Sequence, residues 1–137
     1  MMEQLKALVE RHSAKTRPAG ADSIAALEAK LGFALAPDYK DFLARFGVIV
    51  HGSEETYGLG VPDDYYLNVG NMHSELRRDP TFPPHAVPVL DGGDGRYYLY
   101  DNAAQNIILW ATPNGGIVQK FAETLEAFLV RQIFRGK

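Results

Sequence analysis

Up to Gly47 the apolar residues recur at helical spacing; beyond it they fall into short β-branched or aromatic runs flanked by glycine. Leu5, Leu8, Val9 and His12 stand at i, i+3, i+4 and i+7, the stripe of an amphipathic helix over residues 2–12. Arg17-Pro18-Ala19-Gly20 breaks that pattern. Ile24, Leu27 and Leu31 then share the face of a second helix, with Asp22 or Ser23 placed to cap it and Gly32 to stop it. Pro37 suits the first turn of a third helix, where a missing N–H costs nothing. Asp38 adds negative charge at the positive end of that helix dipole. Tyr39, Phe42, Leu43 and Phe46 repeat the stripe, and Gly47 ends it.

The later runs read as strands. Val48-Ile49-Val50 and Thr56-Tyr57-Gly58-Leu59 have strand composition, and residues 68–78 read as one more short helix, ended by Asp79-Pro80. From Ala86 the chain reads as an antiparallel meander. Residues 87–90 lead into a turn at Asp91-Gly92-Gly93-Asp94-Gly95, and residues 97–100 into a polar loop with Asp101-Asn102. Residues 107–110 reach residues 117–121 through Pro113-Asn114-Gly115-Gly116. Leu125, Phe128, Leu129 and Ile133 form the face of a last helix, with Gly136 just beyond. Helices and strands are segregated, so the expected class is α+β: N-terminal helices, a central antiparallel sheet of about five to six strands, and a C-terminal helix packed on it. At 137 residues, 46% hydrophobic and 23% charged, one domain spans residues 1–137.

Several chemistries are excluded by what the sequence lacks. Without cysteine there is no disulfide, thiolate metal site or cysteine nucleophile, which suits a reducing cytoplasm. Residues 1–15 lack the apolar stretch of a signal peptide, and the longest apolar run, residues 107–111, falls short of the ~20 residues of a membrane helix. A cytoplasmic location and no membrane partner are expected. His12, His51, His73 and His85 show neither i, i+4 spacing nor a His-Glu-x-x-His run, so no metal is expected. His12 reads as packed and hydrogen-bonded on its stripe, the others as loop or strand-end residues. The Asp91–Gly95 stretch lacks the ligand pattern of a calcium loop and leads into a tyrosine strand rather than a phosphate-binding helix. No serine sits in a Gly-x-Ser-x-Gly setting. An enzyme is not expected, nor any cofactor.

The net charge of −3 hides a strong asymmetry. Residues 1–45 carry +1, residues 120–137 carry +2, and residues 46–119 carry −6. No Lys or Arg lies between Arg45 and Arg77, where Glu54, Glu55, Asp63, Asp64 and Glu75 all fall. Nucleic acid, which needs a basic footprint, is not expected as a partner. Two readings stay open: a surface for a basic protein, or solvated loop charge. Tyr57, Tyr65 and Tyr66 lie among these acids, and they suit either a wet protein interface or the covering of a sheet edge.

The sequence resembles the SUKH superfamily, small domains related to a yeast regulator of cell-wall synthesis. The likeness runs through Ile24-x-x-Leu27-Glu28, Leu31-Gly32-Phe33-x-Leu35-Ala36-Pro37-Asp38-Tyr39-Lys40-x-Phe42-Leu43, Phe46-Gly47 and Tyr57-Gly58-Leu59. It continues in Val87-Pro88-Val89, Gly93-Asp94-Gly95 and the tyrosine strand. Ala36 and Phe46 depart from the proline and asparagine frequent at those positions. These residues are helix faces, caps and turns, and they carry over no catalytic site. The resemblance implies a binding module that neutralises a cognate toxin domain, often a nuclease, by protein–protein contact. Glu54, Glu55, Asp63, Asp64, Tyr65 and Tyr66 are then the expected contact residues, with Asp91 and Asp94 next. The alternative is a regulatory or scaffold module of the same kind with a non-toxin cellular partner.

Overall fold

The structure is a computed structural model that describes residues 1–135; Gly136, expected just past the last helix, lies outside the described residues. The three helical stripes fold as their spacing dictates. α1 (Glu3–Arg11) buries Leu5 and Val9, α2 (Ala21–Leu31) buries Ile24, Leu27 and Leu31, and α3 (Pro37–Arg45) buries Tyr39, Phe42 and Leu43. Pro37 opens α3, and Gly32 closes α2 with a left-handed φ of 84°. Neither Asp22 nor Ser23 caps α2. The extended backbone of Gly20 begins the helix without a side-chain bond, and Asp22 already sits in its first turn.

The strands divide between two antiparallel sheets. β1 (Lys15–Thr16), β2 (Ile49–His51) and β3 (Glu54–Glu55) form the smaller one. β4 (Ala86–Gly93), β5 (Arg96–Asp101), β6 (Asn106–Ala111) and β7 (Gly116–Phe121) form the larger in chain order. β3 lies upstream of the expected run at residues 56–59, because Thr56 is spent joining the sheets. Its hydroxyl accepts from Ile49 N at 2.8 Å, it bridges Leu90 antiparallel, and Tyr57 N donates to Val89 O at 2.8 Å. β4 continues through Asp91 to Gly93, expected as turn, with its register to β5 shifting between Pro88 and Leu90 and again between Asp91 and Gly93. Only Asp94 and Gly95 make the turn, both at positive φ.

α4 (Val69–Leu76) is shorter than the expected helix, and the Asn68 side chain caps it by accepting from Asn71 N. α5 (Leu125–Phe134) is capped by Thr124 and buries Leu125, Phe128, Leu129 and Ile133. One face of the larger sheet, with Val87, Val89, Tyr100 and Ile107, belongs to the main core with the α1, α3 and α5 stripes. Ala86, Leu99, Ile108 and Trp110 form a second core with Leu76, against which Met72 and Phe82 pack.

The family-like segment is tied to this sheet by its polar groups. The Tyr100 hydroxyl donates to Asp38 Oδ1 at 2.5 Å, and the Tyr39 and Tyr100 rings stack with centroids 5.5 Å apart. Asn102 accepts from Ala36 N at 2.7 Å and donates to Ala34 O at 2.8 Å. Those residues serve structure.

Candidate protein-binding surface

Strand register sets the surface. Lys15 pairs with Val50 and Val50 with Glu55, so one row across three strands presents a cation, an aliphatic residue and an acid on the same face. The Thr56–Leu90 bridge then brings Asp91 of β4 up to the Glu55 end of that row. Behind it, backbones pack directly on one another. A Cβ on Gly47 (φ 69°) or Gly60 (φ 81°) would lie 1.7 or 1.8 Å from Arg17 O, and one on Gly58 would lie 1.6 Å from Gly47 O. Only glycine fits there.

The acidic and aromatic residues expected as contacts are distributed as follows. Glu54 and Glu55 are half-buried in β3, while Tyr65 and Tyr66 are 41% and 53% exposed with ring centroids 4.7 Å apart. The Tyr66 hydroxyl donates to Glu55 Oε2, which raises the tyrosine pKa. Bonds from Tyr65 N to Pro62 O (3.0 Å) and from Asn68 N to Tyr65 O (2.9 Å) shape the intervening loop. Glu55, Tyr65 and Tyr66 are thus brought together. Asp63 and Asp64 are exposed on the same loop, and Asp63 lines a groove of about 420 Å³ with Ser23, Lys30 and Asn68. Asp91 is exposed and accepts from Gly93 N at 2.8 Å, and Asp94 stands apart at the hairpin tip.

Two further residues, Glu75 and Tyr97, were not among the contacts expected from sequence. Burial, followed by the charge of Asp91, the Tyr97 hydroxyl and the charges of Glu75 and Glu55, raises the pKa of Tyr57. Burial, Asp91 and Glu75 do the same for Tyr97. Tyr97 on β5 pairs with Asp91 on β4, and Glu75 on α4 lines a groove with Tyr97, so both lie on the Asp91 side of this surface. Tyr97 sits in the tyrosine strand, but only the topology places α4 beside it.

Among the described residues, the ion pairs join Arg45 to Asp41 and Glu3, Arg131 to Glu123, and the terminal amine to Glu3. Among the described residues, none of Glu54, Glu55, Asp63, Asp64, Glu75, Asp91 and Asp94 has a cation within 4 Å. Lys15 and Arg17, which sequence spacing had separated from the acidic stretch, line a groove of about 430 Å³ with Glu55, Tyr65, Val50 and Leu67. The acidic face therefore has a basic border.

Other polar residues are committed to structure. Asp79 accepts from the Thr112 hydroxyl (2.6 Å), Asn114 N (2.8 Å), and both Thr81 N and its hydroxyl (2.8 Å each). The bonds from Thr112, Thr81 and Asn114 hold its carboxyl well below the usual range. His12 is packed as expected, stacked on Phe134 at 5.4 Å and near His51 at 5.6 Å, but its buried Nε2 has no hydrogen-bond partner among the described residues. His73 is not a loop or strand-end residue: it is buried on α4, edge-on to Phe82, because that face of the helix covers the second core. Among the described residues no three His, Cys, Asp or Glu side chains are grouped to hold a metal ion. No described helix is long and apolar enough to cross a membrane.

Comparison with known proteins gives three findings. A SUKH family model described as SMI1-KNR4 cell-wall matches residues 21–129. The crystal structure of a protein from Pseudomonas syringae pv. tomato superposes with a TM-score of 0.72 at 15% identity, over 93% of this chain and 96% of that one. At that identity the likeness is one of fold alone. Comparison with curated proteins gives no match.

Proposed function

The chain belongs to the SUKH superfamily, through its SMI1-KNR4 cell-wall family, and on that premise we propose that it is an immunity protein. It binds and neutralises a cognate toxin domain of the nuclease type by stoichiometric protein–protein contact, without turnover. The observation that carries this reading is the group of carboxylates Glu54, Glu55, Asp63 and Asp64, which have no cation within 4 Å among the described residues and lie on β3 and on the loop that carries exposed Tyr65 and Tyr66. A carboxylate with no cation to give up is free to attract a basic toxin face. Such complementarity raises association rates about 10- to 1,000-fold. Tyrosine adds apolar area at a contact while its hydroxyl stays wet. The chain's lack of cysteine suits a reducing cytoplasm as the place of action.

The test is co-expression with the product of the adjacent gene. An immunity protein restores growth against that toxin domain and co-purifies with it at one to one. A captured partner with no rescue supports the regulatory or scaffold module instead. Rescue with no complex overturns the stoichiometric reading.

A further inference from the structure

We infer that the groove between β1 and the residue 60–66 loop receives an extended segment of the partner protein, with a carboxylate of that segment against Lys15 and Arg17 and a cationic side chain against Glu55. This rests on the partner-binding reading above and adds the chemistry of the docked segment. The groove, about 430 Å³, falls within the range of formed binding sites. Val50, Val61, Pro62 and Leu67 give it apolar lining, and exposed Tyr65 borders it.

Its two walls differ in sign. The row Lys15–Val50–Glu55 sets cation and acid one strand apart on either side of Val50. Among the described residues neither Lys15 nor Arg17 has a carboxylate within 4 Å, and the Arg17 guanidinium donates to Thr16 O at 3.0 Å. A uniformly basic surface would meet repulsion here. A partner that places one acid against this basic border is favoured over other basic proteins, which is specificity through an unfavourable contact for the wrong partner. The groove is also preformed. Gly47 and Gly60 pack on the Arg17 carbonyl, and bonds from Arg17 N to Phe46 O (2.7 Å) and Leu59 N to Gly47 O (3.0 Å) hold its base. Little ordering is then needed on binding.

The test uses the full chain and, as probe, the toxin domain that the co-expression test above pairs with it. Lys15→Glu with Arg17→Glu reverses the basic wall, and Val50→Trp fills the groove without changing charge. Each variant is first checked for an unchanged melting temperature. The expected result is that each variant lowers affinity for the toxin domain at least about tenfold, a loss typical of a broken interfacial charge pair. Binding slows hydrogen exchange over residues 48–50 and 60–67. Wild-type affinity in folded groove variants overturns the groove assignment and leaves the immunity reading standing. Failure of the wild-type chain to bind the domain overturns both. Sedimentation of the chain alone gives the remaining outcome: a dimer abolished by Val50→Trp assigns the groove to a second copy and overturns the proposal.

Discussion

The Tyr66 hydroxyl donates a hydrogen bond to Glu55 Oε2, so a loop tyrosine and a strand carboxylate form one polar unit at the surface. The bond restricts the Glu55 rotamer in advance of binding, and it leaves the other carboxylate oxygen for a partner's cation. Replacing Tyr66 by Phe keeps the exposed ring but removes the orienting bond. The expected outcome is an unchanged denaturant midpoint with affinity for the partner lower by about tenfold, the scale of a bond to a charged group. Calorimetric titration and urea unfolding measure the two.

Gly47→Ala and Gly60→Ala each force a Cβ into the Arg17 carbonyl at a left-handed backbone position. Strain and overpacking together predict a loss of about 2–5 kcal/mol for either. Gly20→Ala is the control: its Cβ meets nothing within 4 Å, and its φ is an ordinary −80°. That change is expected to cost under about 1 kcal/mol. Chemical denaturation of the three variants checks the contrast.

Two stacked tyrosines respond in opposite directions. The Tyr39 hydroxyl is buried with no partner among the described residues, whereas that of Tyr100 is bonded to Asp38. Tyr39→Phe removes an unsatisfied group and is expected to stabilise by roughly 1 kcal/mol; Tyr100→Phe is expected to cost about 1–3 kcal/mol. Unfolding free energies of both variants decide this.

Stability is expected to have a plateau with losses on both sides. Burial, aided by Arg77 and Lys30, lowers the His73 pKa, so its contribution is present above the ordinary histidine value of about 6.5 and is lost as pH falls below it. The lowered Asp79 carboxyl contributes above about pH 4 and loses that contribution on further acidification. Burial raises Tyr39, Tyr57 and Tyr100, whose contributions hold up to about pH 10 and are lost above it. Melting curves from pH 3 to 11 test the profile, and His73→Leu is expected to flatten the step below pH 6.5.

Local rules made much of the fold legible. Pro37, Gly32 and the apolar stripes carry the physics of helix starts, stops and faces within a few residues, so α1 to α3 and α5 stand close to where spacing places them. β1 was invisible because two polar residues have no alternation; its pairing is decided by β2, more than thirty residues away. β3 was misplaced for a related reason. Thr56 and Tyr57 look like strand residues, yet their backbone bonds go to Ile49 and across to β4. The acidic character of residues 54–94 was readable from composition. The cations that border it were not, since Lys15 and Arg17 reach Glu55 only through the sheet register and the glycine-packed backbone around Arg17 O.

On the proposed function, the carboxylates near Tyr65 and Tyr66 capture a basic toxin domain. The most direct test of this claim is the association rate with the toxin domain across ionic strengths, for the wild-type chain and a variant with Glu54, Glu55, Asp63 and Asp64 changed to Lys. The expected result is fast wild-type association that slows steeply with salt, and a folded variant that associates more than about tenfold more slowly with little salt dependence. Equal rates and equal salt slopes for the two proteins would contradict the claim.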